Sequence, residues 1–277
     1  MIIEEIVIVR GGGDVATGCI QKLYRSGFNV LVLESGNPLC IRRTVSVAEA
    51  MVSGLTEVED MTAKRVKDIS EALDTINKGI IPVLEDVEGN SIEGIKPIAV
   101  IDATIAKKNI GTNRNMAPIT IALGPGYYAG RDVDYVIETN RGHNLGRIIF
   151  EGFAAENTHK PGLIGGYDNE RVYYSPMKST IKVVKDITER VKKGDVIACA
   201  NDVEVKADID GVVRGMIRDG AVVGKHTKIA DIDPRDDAEK YCFTISDKAR
   251  NIGGAVLEAL MIGLNRMNSN NYQIDKK

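Results

Sequence analysis

Three consecutive glycines stand between an apolar run and a helix-like segment near the start of the chain, in the sequence VIVRGGGDVATG. The apolar run is typical of a strand buried on both faces of a parallel sheet, and the segment after it has helical periodicity. Gly11, Gly13 and Ala16 fit the spacing G-x-G-x-x-G/A, which allows a tight turn and the close approach of a ligand. The stretch therefore predicts a Rossmann-like βαβ unit, with Gly12 and the helix N-terminus beside the ligand.

Two carboxylates near this turn favour different interpretations. Glu34 ends the next predicted strand, 21 residues after Gly13, where dinucleotide-binding folds carry a carboxylate that binds a ribose. Asp14, at the start of the helix, complements the helix dipole but repels a phosphate that approaches the same amide groups. The glycines predict either a dinucleotide site or a turn that only packs the helix tightly on the sheet. Arg43, next to Arg42, is a candidate for binding a phosphate here.

Apolar segments of strand length alternate with helix-like segments through residues 1–110, which predicts an α/β domain with a parallel sheet. A helix is expected over residues 60–79, because four apolar residues fall roughly in line there: Ala63, Val66, Ile69 and Leu73. Residues 236–277 are expected to form a C-terminal helix that packs back on this domain, followed by a frayed polar tail. Ser246 is the candidate N-cap of that helix, and its buried stripe is expected to be Ile252, Val256, Leu257 and Leu260.

Composition and charge exclude several classes of protein. The net charge of −3 argues against bulk affinity for nucleic acid. No run approaches the roughly 18 apolar residues of a membrane-spanning helix. The four scattered cysteines and the absence of a basic leader indicate a reducing, cytoplasmic location.

A second group of candidate residues follows in residues 111–170, where glycine and arginine are dense around short strand-like runs. Glycines let the backbone approach a ligand, and arginines offer planar forks to phosphate or carboxylate. The candidates for an anion pocket are Gly124, Gly126, Arg131, Arg141, His143 and Arg147, with Asp102 at the same edge of the sheet. The alternatives are a glycine-rich hairpin with exposed arginines, and a helix-capping role for Asp102.

No metal site and no catalytic residue can be assigned from the sequence. His143, His159 and His226 have no partners at ligand spacing, and the cysteines form no pair. A Ser-His-Asp arrangement lacks the G-x-S-x-G turn that would present its nucleophile.

Residues 171–235 form a third region, with short β-rich segments separated by KKGD, DIDG and DG turns. This region resembles the biotinyl/lipoyl barrel-sandwich domains. At the place where such a carrier presents its modifiable lysine, the chain has the short loop ACANDVEVKA without a Met-Lys pair. Covalent biotin or lipoate is therefore not expected, and a rigid docking or lid module is the preferred interpretation.

Together with the lysine-less, barrel-like region, four stretches resemble the YqeB family of selenium-dependent molybdenum hydroxylase accessory proteins: RGGGDVATG, VIDATIAKKN, GPGYYAGRDVDYVIETNRGHNLG and the helix with its IGG motif. The resemblance implies a role in maturing these hydroxylases, with their apoenzyme as partner and with selenium or cofactor insertion as the task. The implied ligand is the molybdenum cofactor, as molybdopterin or its dinucleotide, whose phosphate end suits a glycine-lined, arginine-bearing cleft. The glycine motif is also similar to the Rossmann part of XdhC-type maturation factors, which carry a histidine at the position of Asp14.

Two other functions fit the same residues. One is an NAD(P)-dependent oxidoreductase, with Glu34 on the ribose and the arginine loops on a small acidic substrate. The other is a non-catalytic scaffold that docks the hydroxylase through residues 171–234. Whether the protein is an enzyme, and whether it forms homo-oligomers, stays open from the sequence alone.

Overall fold

The computed structural model describes residues 3–158 and 160–274. Strands and short helices alternate in its first part, which contains β1 (Ile3–Arg10), α1 (Asp14–Arg25), β2 (Phe28–Glu34), α2 (Ala50–Ser53), β3 (Leu55–Val58), β4 (Met61–Val66), α3 (Ile69–Ile76), β5 (Ile81–Glu85), α4 (Ser91–Ile95) and β6 (Ala99–Asp102). The loop-rich middle adds β7 (Ile119–Leu123), β8 (Tyr128–Ala129), β9 (Tyr135–Ile137), β10 (Ile148–Ile149) and β11 (Gly152–Phe153).

The last part of the chain is all-β until a long terminal helix begins. It contains β12 (Val172–Tyr174), β13 (Ser179–Val183), β14 (Arg190–Val191), β15 (Val196–Ala200), β16 (Val203–Lys206), β17 (Gly211–Met216), β18 (Val222–Val223), β19 (Lys228–Asp233) and α5 (Asp247–Ile274).

Nine strands form one mixed sheet in the order β10-β9-β7-β6-β1-β2-β5-β4-β3. Among the described strands of this sheet, only the two edge pairs are antiparallel, β3 with β4 and β9 with β10. Because β2 and β6 pair with opposite sides of β1, the loops after these strands leave a crevice at the carboxyl edge of the sheet. Strands β7, β9 and β10 belong to the same sheet, so the sheet continues past residue 110.

The helix predicted over residues 60–79 is wrong in its first half. Residues Met61–Val66 form the strand β4, and α3 covers only Ile69–Ile76. Over Met61–Lys64 the side chains alternate between buried and partly exposed positions, which is the period of a strand. Asp68 marks the start of the helix, because its side chain accepts a hydrogen bond from Glu71 N–H and caps α3.

Helix α5 packs against α1 and covers the face of β7 and β9. The predicted N-cap is confirmed, since Ser246 Oγ accepts from Ala249 N–H at 3.2 Å, and most of the predicted stripe is fully buried. The two helices meet at glycines that the prediction missed. A Cβ added at Gly18 would lie 2.4 Å from the Ala249 carbonyl oxygen, and one at Gly253 would lie 2.3 Å from the Gly18 carbonyl oxygen. The helix continues through Ile274, into the tail that was expected to fray.

Residues 172–233 form two four-stranded antiparallel sheets, β12-β19-β17-β14 and β16-β15-β13-β18, around one shared apolar core. We call this part the β-module. The hairpin of β15 and β16 turns at Asn201, which has φ +52°, and Asp202. The predicted α/β class is confirmed at this level: a large, mostly parallel sheet, small antiparallel sheets and a C-terminal helix. Within the described residues, no helix is both long and apolar enough to cross a bilayer.

Candidate functional site

The glycine turn, residues 11–13, connects the carboxyl end of β1 to α1. Gly11 has φ +91°, in the left-handed region that favours glycine. Two amide groups of the turn are used inside the chain: Gly11 N–H donates to the Leu33 carbonyl at 2.8 Å, and Gly12 N–H donates to Glu34 Oε2 at 2.8 Å. Glu34, the predicted ribose ligand, therefore holds the turn itself.

A cavity of about 360 Å³ opens beside the turn, where the loops after β1, β2 and β6 meet; we call it the switch pocket. The structure brings together five of the predicted residues in its lining: Gly11, Gly13, Asp14, Ala16 and Glu34. The other lining residues are Val15, Pro38, Leu39, Cys40, Ala103, Thr104 and Ile105. No lysine or arginine is among them.

The ionisable side chains of the switch pocket are two carboxylates, Asp14 and Glu34, and the thiol of Cys40. Burial, followed by the charges of Glu34 and Asp14, raises the pKa of the Cys40 thiol to about 12. The thiol therefore stays protonated at neutral pH. Because two carboxylates face the pocket, it is a poor place for the pyrophosphate of a dinucleotide.

A second cavity, of about 1030 Å³, lies between the large sheet and the β-module; we call it the cationic cleft. Eight lysine and arginine side chains line it, against two carboxylates. The cations are Arg42, Lys107, Arg141, Lys160, Arg171, Arg214, Lys228 and Lys248, and the carboxylates are Asp14 and Asp231. The cleft shares Asp14 and Val15 with the switch pocket, so the two cavities adjoin.

The β-module side of the cleft is organised around Asp231, which is 3% exposed. Its Oδ2 accepts from Arg171 at 2.9 Å, from Arg214 at 3.2 Å and from Lys228 Nζ at 3.4 Å. A single carboxylate thus fixes three cations in place. Arg214 also donates to Asp233, on the same strand, at 3.3 Å.

Positive charge exceeds negative charge in this part of the cleft, and this excess shifts the pKa of two buried side chains. Burial acts to raise the pKa of Asp231, but Lys228, Arg214 and Arg171 together lower it to about 2. Burial and the neighbouring Arg214 lower the pKa of Arg42. Arg42 and Arg214 are 5% and 9% exposed, and the Nε atom of each has no hydrogen-bond partner in the described part of the chain.

The opposite side of the cleft is formed by the start of α5 and the loop after β9. Arg141, a predicted site residue, makes a two-fold hydrogen bond to Asp247 at 2.9 and 3.0 Å. Burial and the charge of Arg141 lower the pKa of Lys248. Lys107, Lys160 and Lys248 have no ion-pair partner within 4.0 Å among residues 3–158 and 160–274. These amines are available to an anion.

Other predicted residues of the loop region lie outside both cavities. Arg131 pairs with Asp132 at 2.9 Å and stacks over the ring of Tyr128. Arg147 is exposed and donates to Asn144 Oδ1 at 3.1 Å, and His143 is exposed. Of the arginines that the sequence singled out in this loop, only Arg141 lines the cleft.

Gly124 and Gly126 serve the packing of the chain. Gly126 has φ +109°, and a Cβ on it would lie 2.5 Å from Lys108 Cα. Gly124 has φ +75° and would place a Cβ 2.6 Å from Thr139 Oγ1. Neither lines the switch pocket or the cleft. Both positions therefore require glycine for conformation and space.

Asp102 and Arg43 also act within the fold. Asp102 is 1% exposed, and its Oδ2 accepts from the Tyr127 hydroxyl at 2.7 Å and from Thr112 Oγ1 at 2.6 Å. Arg43 donates to the Met216 carbonyl at 2.9 Å and pairs with Asp186, so it ties the sheet to the β-module.

The sequence-based prediction missed most of the cleft, including Arg171, Arg214, Lys228 and Lys248. One signal was present: Arg214 interrupts the apolar strand GVVRGM, and a charged residue in a buried strand is uncommon without a partner. The other three cations look like ordinary surface residues until tertiary structure brings them together.

Within the described residues, no group of three or more His, Cys, Asp or Glu side chains is arranged to hold a metal ion. His159, one of the three histidines considered above, lies outside the described residues.

No model of a known protein family matches the chain. The chain is similar to the Escherichia coli (strain K12) protein named "Uncharacterized protein YqeB", with 45% identity over 259 residues. The match covers 94% of this chain and 48% of that protein, so the chain spans about half the length of this relative.

Two solved structures show a weaker likeness. The product-bound ectoine utilization protein EutE (DoeB) from Ruegeria pomeroyi is 10% identical, with a TM-score of 0.25 and coverage of 82% of this chain and 85% of that one. A succinylglutamate desuccinylase from Silicibacter sp. TM1040 is 10% identical, with a TM-score of 0.24 and coverage of 82% and 84%. Scores this low carry no argument about fold or activity.

Proposed function

We propose that the protein is a cytoplasmic maturation factor for selenium-dependent molybdenum hydroxylases. In this role it holds an anionic ligand of the molybdenum-cofactor type, molybdopterin or its dinucleotide, and passes it to the hydroxylase apoenzyme. The proposed architecture is a Rossmann-like α/β domain joined to a biotinyl/lipoyl-type barrel-sandwich module. The single observation that carries the proposal is the cationic cleft between these two parts, with eight basic side chains and two carboxylates.

The residues present fit the phosphate end of such a cofactor. Lys107, Lys160 and Lys248 are unpaired within the described residues and supply mobile donors, while Arg171 and Arg214 are preorganised by Asp231. Charge-assisted hydrogen bonds from such groups are the usual way to bind a phosphate. The cofactor, when bound, would bring the pterin and its metal-binding group, and this chain would supply charge and orientation.

The NAD(P)-dependent oxidoreductase has less support. In that function the pyrophosphate would lie on the glycine turn, where Asp14 and Glu34 face it and where no basic residue lines the pocket. The resemblance to YqeB proteins supports the maturation role through the accessory function that this resemblance implies, and the name of the Escherichia coli relative adds no activity.

The test uses cells that make a selenium-dependent molybdenum hydroxylase and carry this protein as the wild type, Lys228→Gln, Lys248→Gln or Lys192→Gln. Lys192 is an exposed lysine of the β-module outside the cleft, so its variant is a matched control. We expect released pterin, measured by mass spectrometry on the purified protein, to fall in the two cleft variants, with a parallel fall in hydroxylase activity. Recovery of NAD(P) without any pterin would contradict the proposal.

A further inference from the structure

The switch pocket and the cationic cleft adjoin but carry opposite charge. Asp14 and Val15 line both cavities, so one molecule can extend from one into the other. The Asp14 side chain has no hydrogen bond and no ion pair within 4.0 Å among the described residues. It stands as a free carboxylate at the boundary between the cavities.

The side-chain oxygens of the switch pocket act as hydrogen-bond acceptors. Glu34 is fixed by Gly12 N–H at 2.8 Å and Ser35 N–H at 2.7 Å, and each carboxylate oxygen keeps a second lone pair. The Thr104 hydroxyl donates its proton to Asp102 at 2.6 Å, so it offers only lone pairs to the pocket. The amide of Gly11 is already used by Leu33.

Between these acceptors the walls are apolar. Val15, Pro38, Leu39 and Ile105 line the pocket, and Leu39 is 45% exposed beside it. A pocket with apolar walls and a few fixed polar groups is typical of a binding site for a flat organic ring. Acceptor groups select a ring edge that donates hydrogen bonds, and an ionised carboxylate pairs best with two parallel N–H groups.

We propose that the two cavities bind one ligand with two unlike ends. A flat heterocycle whose edge carries an amino group beside a ring N–H, as in guanine-type and pterin-type rings, enters the switch pocket with that edge toward the free carboxylate of Asp14. The phosphate of the same ligand lies in the cationic cleft, near the buried Arg42 and Arg214 whose Nε atoms have no partner in the described chain. This inference rests on the proposed function, because the cleft is the anion site in both.

Three mononucleotides with the same ribose 5′-phosphate test the ring edge. Guanosine monophosphate carries the amino group beside a ring N–H, inosine monophosphate lacks only that amino group, and adenosine monophosphate lacks the ring N–H. By titration calorimetry at one ionic strength, guanosine monophosphate should bind about tenfold or more tightly than inosine monophosphate, because the missing donor leaves a pocket acceptor unpaired. Adenosine monophosphate should bind no more tightly than inosine monophosphate.

Two variants separate the pocket from the cleft. Asp14→Asn should reduce the ratio of the affinities for guanosine and inosine monophosphate to about one, without weakening the binding of inorganic pyrophosphate. The control Asp74→Asn, at an exposed position on α3, should keep the wild-type ratio. Gly13→Ala adds a methyl group 3.7 Å from Cys40 Sγ at φ −65°, so the backbone accepts it while the pocket narrows. This variant should weaken the binding of guanosine monophosphate about fivefold or more and leave the affinity for pyrophosphate unchanged.

Equal affinity for the three nucleotides, or a preference that survives in Asp14→Asn, would overturn the two-ended ligand. If pyrophosphate still binds in that case, the anion site of the proposed function stands. If the wild type does not bind pyrophosphate, and Lys228→Gln changes none of the nucleotide affinities, both proposals fail.

Discussion

The switch pocket and the cationic cleft share two residues and are opposite in charge. The switch pocket has the glycine pattern associated with phosphate binding, yet Asp14 and Glu34 make it acidic. The cleft has no recognisable motif, yet eight basic side chains line it. A glycine turn therefore fixes the shape of the backbone, whereas the side chains that the rest of the fold brings to a cavity determine which ligand charge it binds.

The largest expected effect concerns the carboxylate that organises the cleft. Asp231→Asn should destabilise the protein by about 3 kcal/mol, because it leaves the buried Arg171 and Arg214 close together without their shared counter-charge. The change in the free energy of unfolding can be measured by urea denaturation. Asp210→Asn, at an exposed ion pair of the same module, is the matched control and should change little. An equal loss in both variants would show that Asp231 has no special role.

The pH dependence of stability gives a second view of this cluster. The folded-state pKa of Asp231 is about 2, below the value near 3.9 of an unfolded chain. Its contribution is therefore complete above about pH 5 and is lost as the pH falls toward 2. We expect the stability difference between the wild type and Asp231→Asn to shrink over that range. A difference that stays constant down to pH 2 would contradict the lowered pKa.

The next effect compares two neighbouring glycines of the turn. A Cβ on Gly12 would lie 2.9 Å from Ala48 N, so Gly12→Ala should cost about 2 kcal/mol of stability. Gly13 has ordinary extended backbone angles and a 3.7 Å neighbour, so Gly13→Ala should change the melting temperature little. Thermal unfolding of both variants measures the difference. Equal melting temperatures would show that the turn tolerates a side chain at either position.

The smallest expected effect concerns the ion pair of Arg141 and Asp247. Because the Asp247 side chain is 68% exposed, Asp247→Asn should cost only about 0.5 kcal/mol of stability. The variant releases Arg141 into the cleft, so pyrophosphate should bind severalfold more tightly in titration calorimetry. Asp236→Asn, an exposed change outside the cleft, controls for net charge. Weaker binding in Asp247→Asn would mean that the pair is needed to position Arg141.

Much of the α/β region could be predicted from the sequence, because its strands are continuous apolar runs and its glycine turn is local. The same reasoning found five lining residues of the switch pocket, which come from segments close to the turn. The sequence pattern predicted a helix where β4 lies, because the short apolar pattern around Ala63 and Val66 fits both the helical and the strand periodicity. Tertiary packing stabilises the strand rather than the helix at these residues.

The cleft could not be predicted, because its residues come from distant parts of the chain. Arg42 follows β2, Arg141 follows β9, Lys228 begins β19 and Lys248 begins α5. Nothing local distinguishes Lys228 and Lys248 from solvated surface residues. The arginines favoured from the sequence, Arg131 and Arg147, share a glycine-rich stretch with Arg141 but lie outside both cavities.

In the proposed complex the anionic end of the ligand lies in the cationic cleft and not on the glycine turn. The most direct test is the affinity for inorganic pyrophosphate of Lys228→Gln and Gly13→Ala, measured side by side by titration calorimetry at one ionic strength. The prediction is a loss of about tenfold for Lys228→Gln, from one charge-assisted hydrogen bond, and a change within about twofold for Gly13→Ala. A large loss of affinity in Gly13→Ala with no loss in Lys228→Gln would instead place the phosphate on the glycine turn.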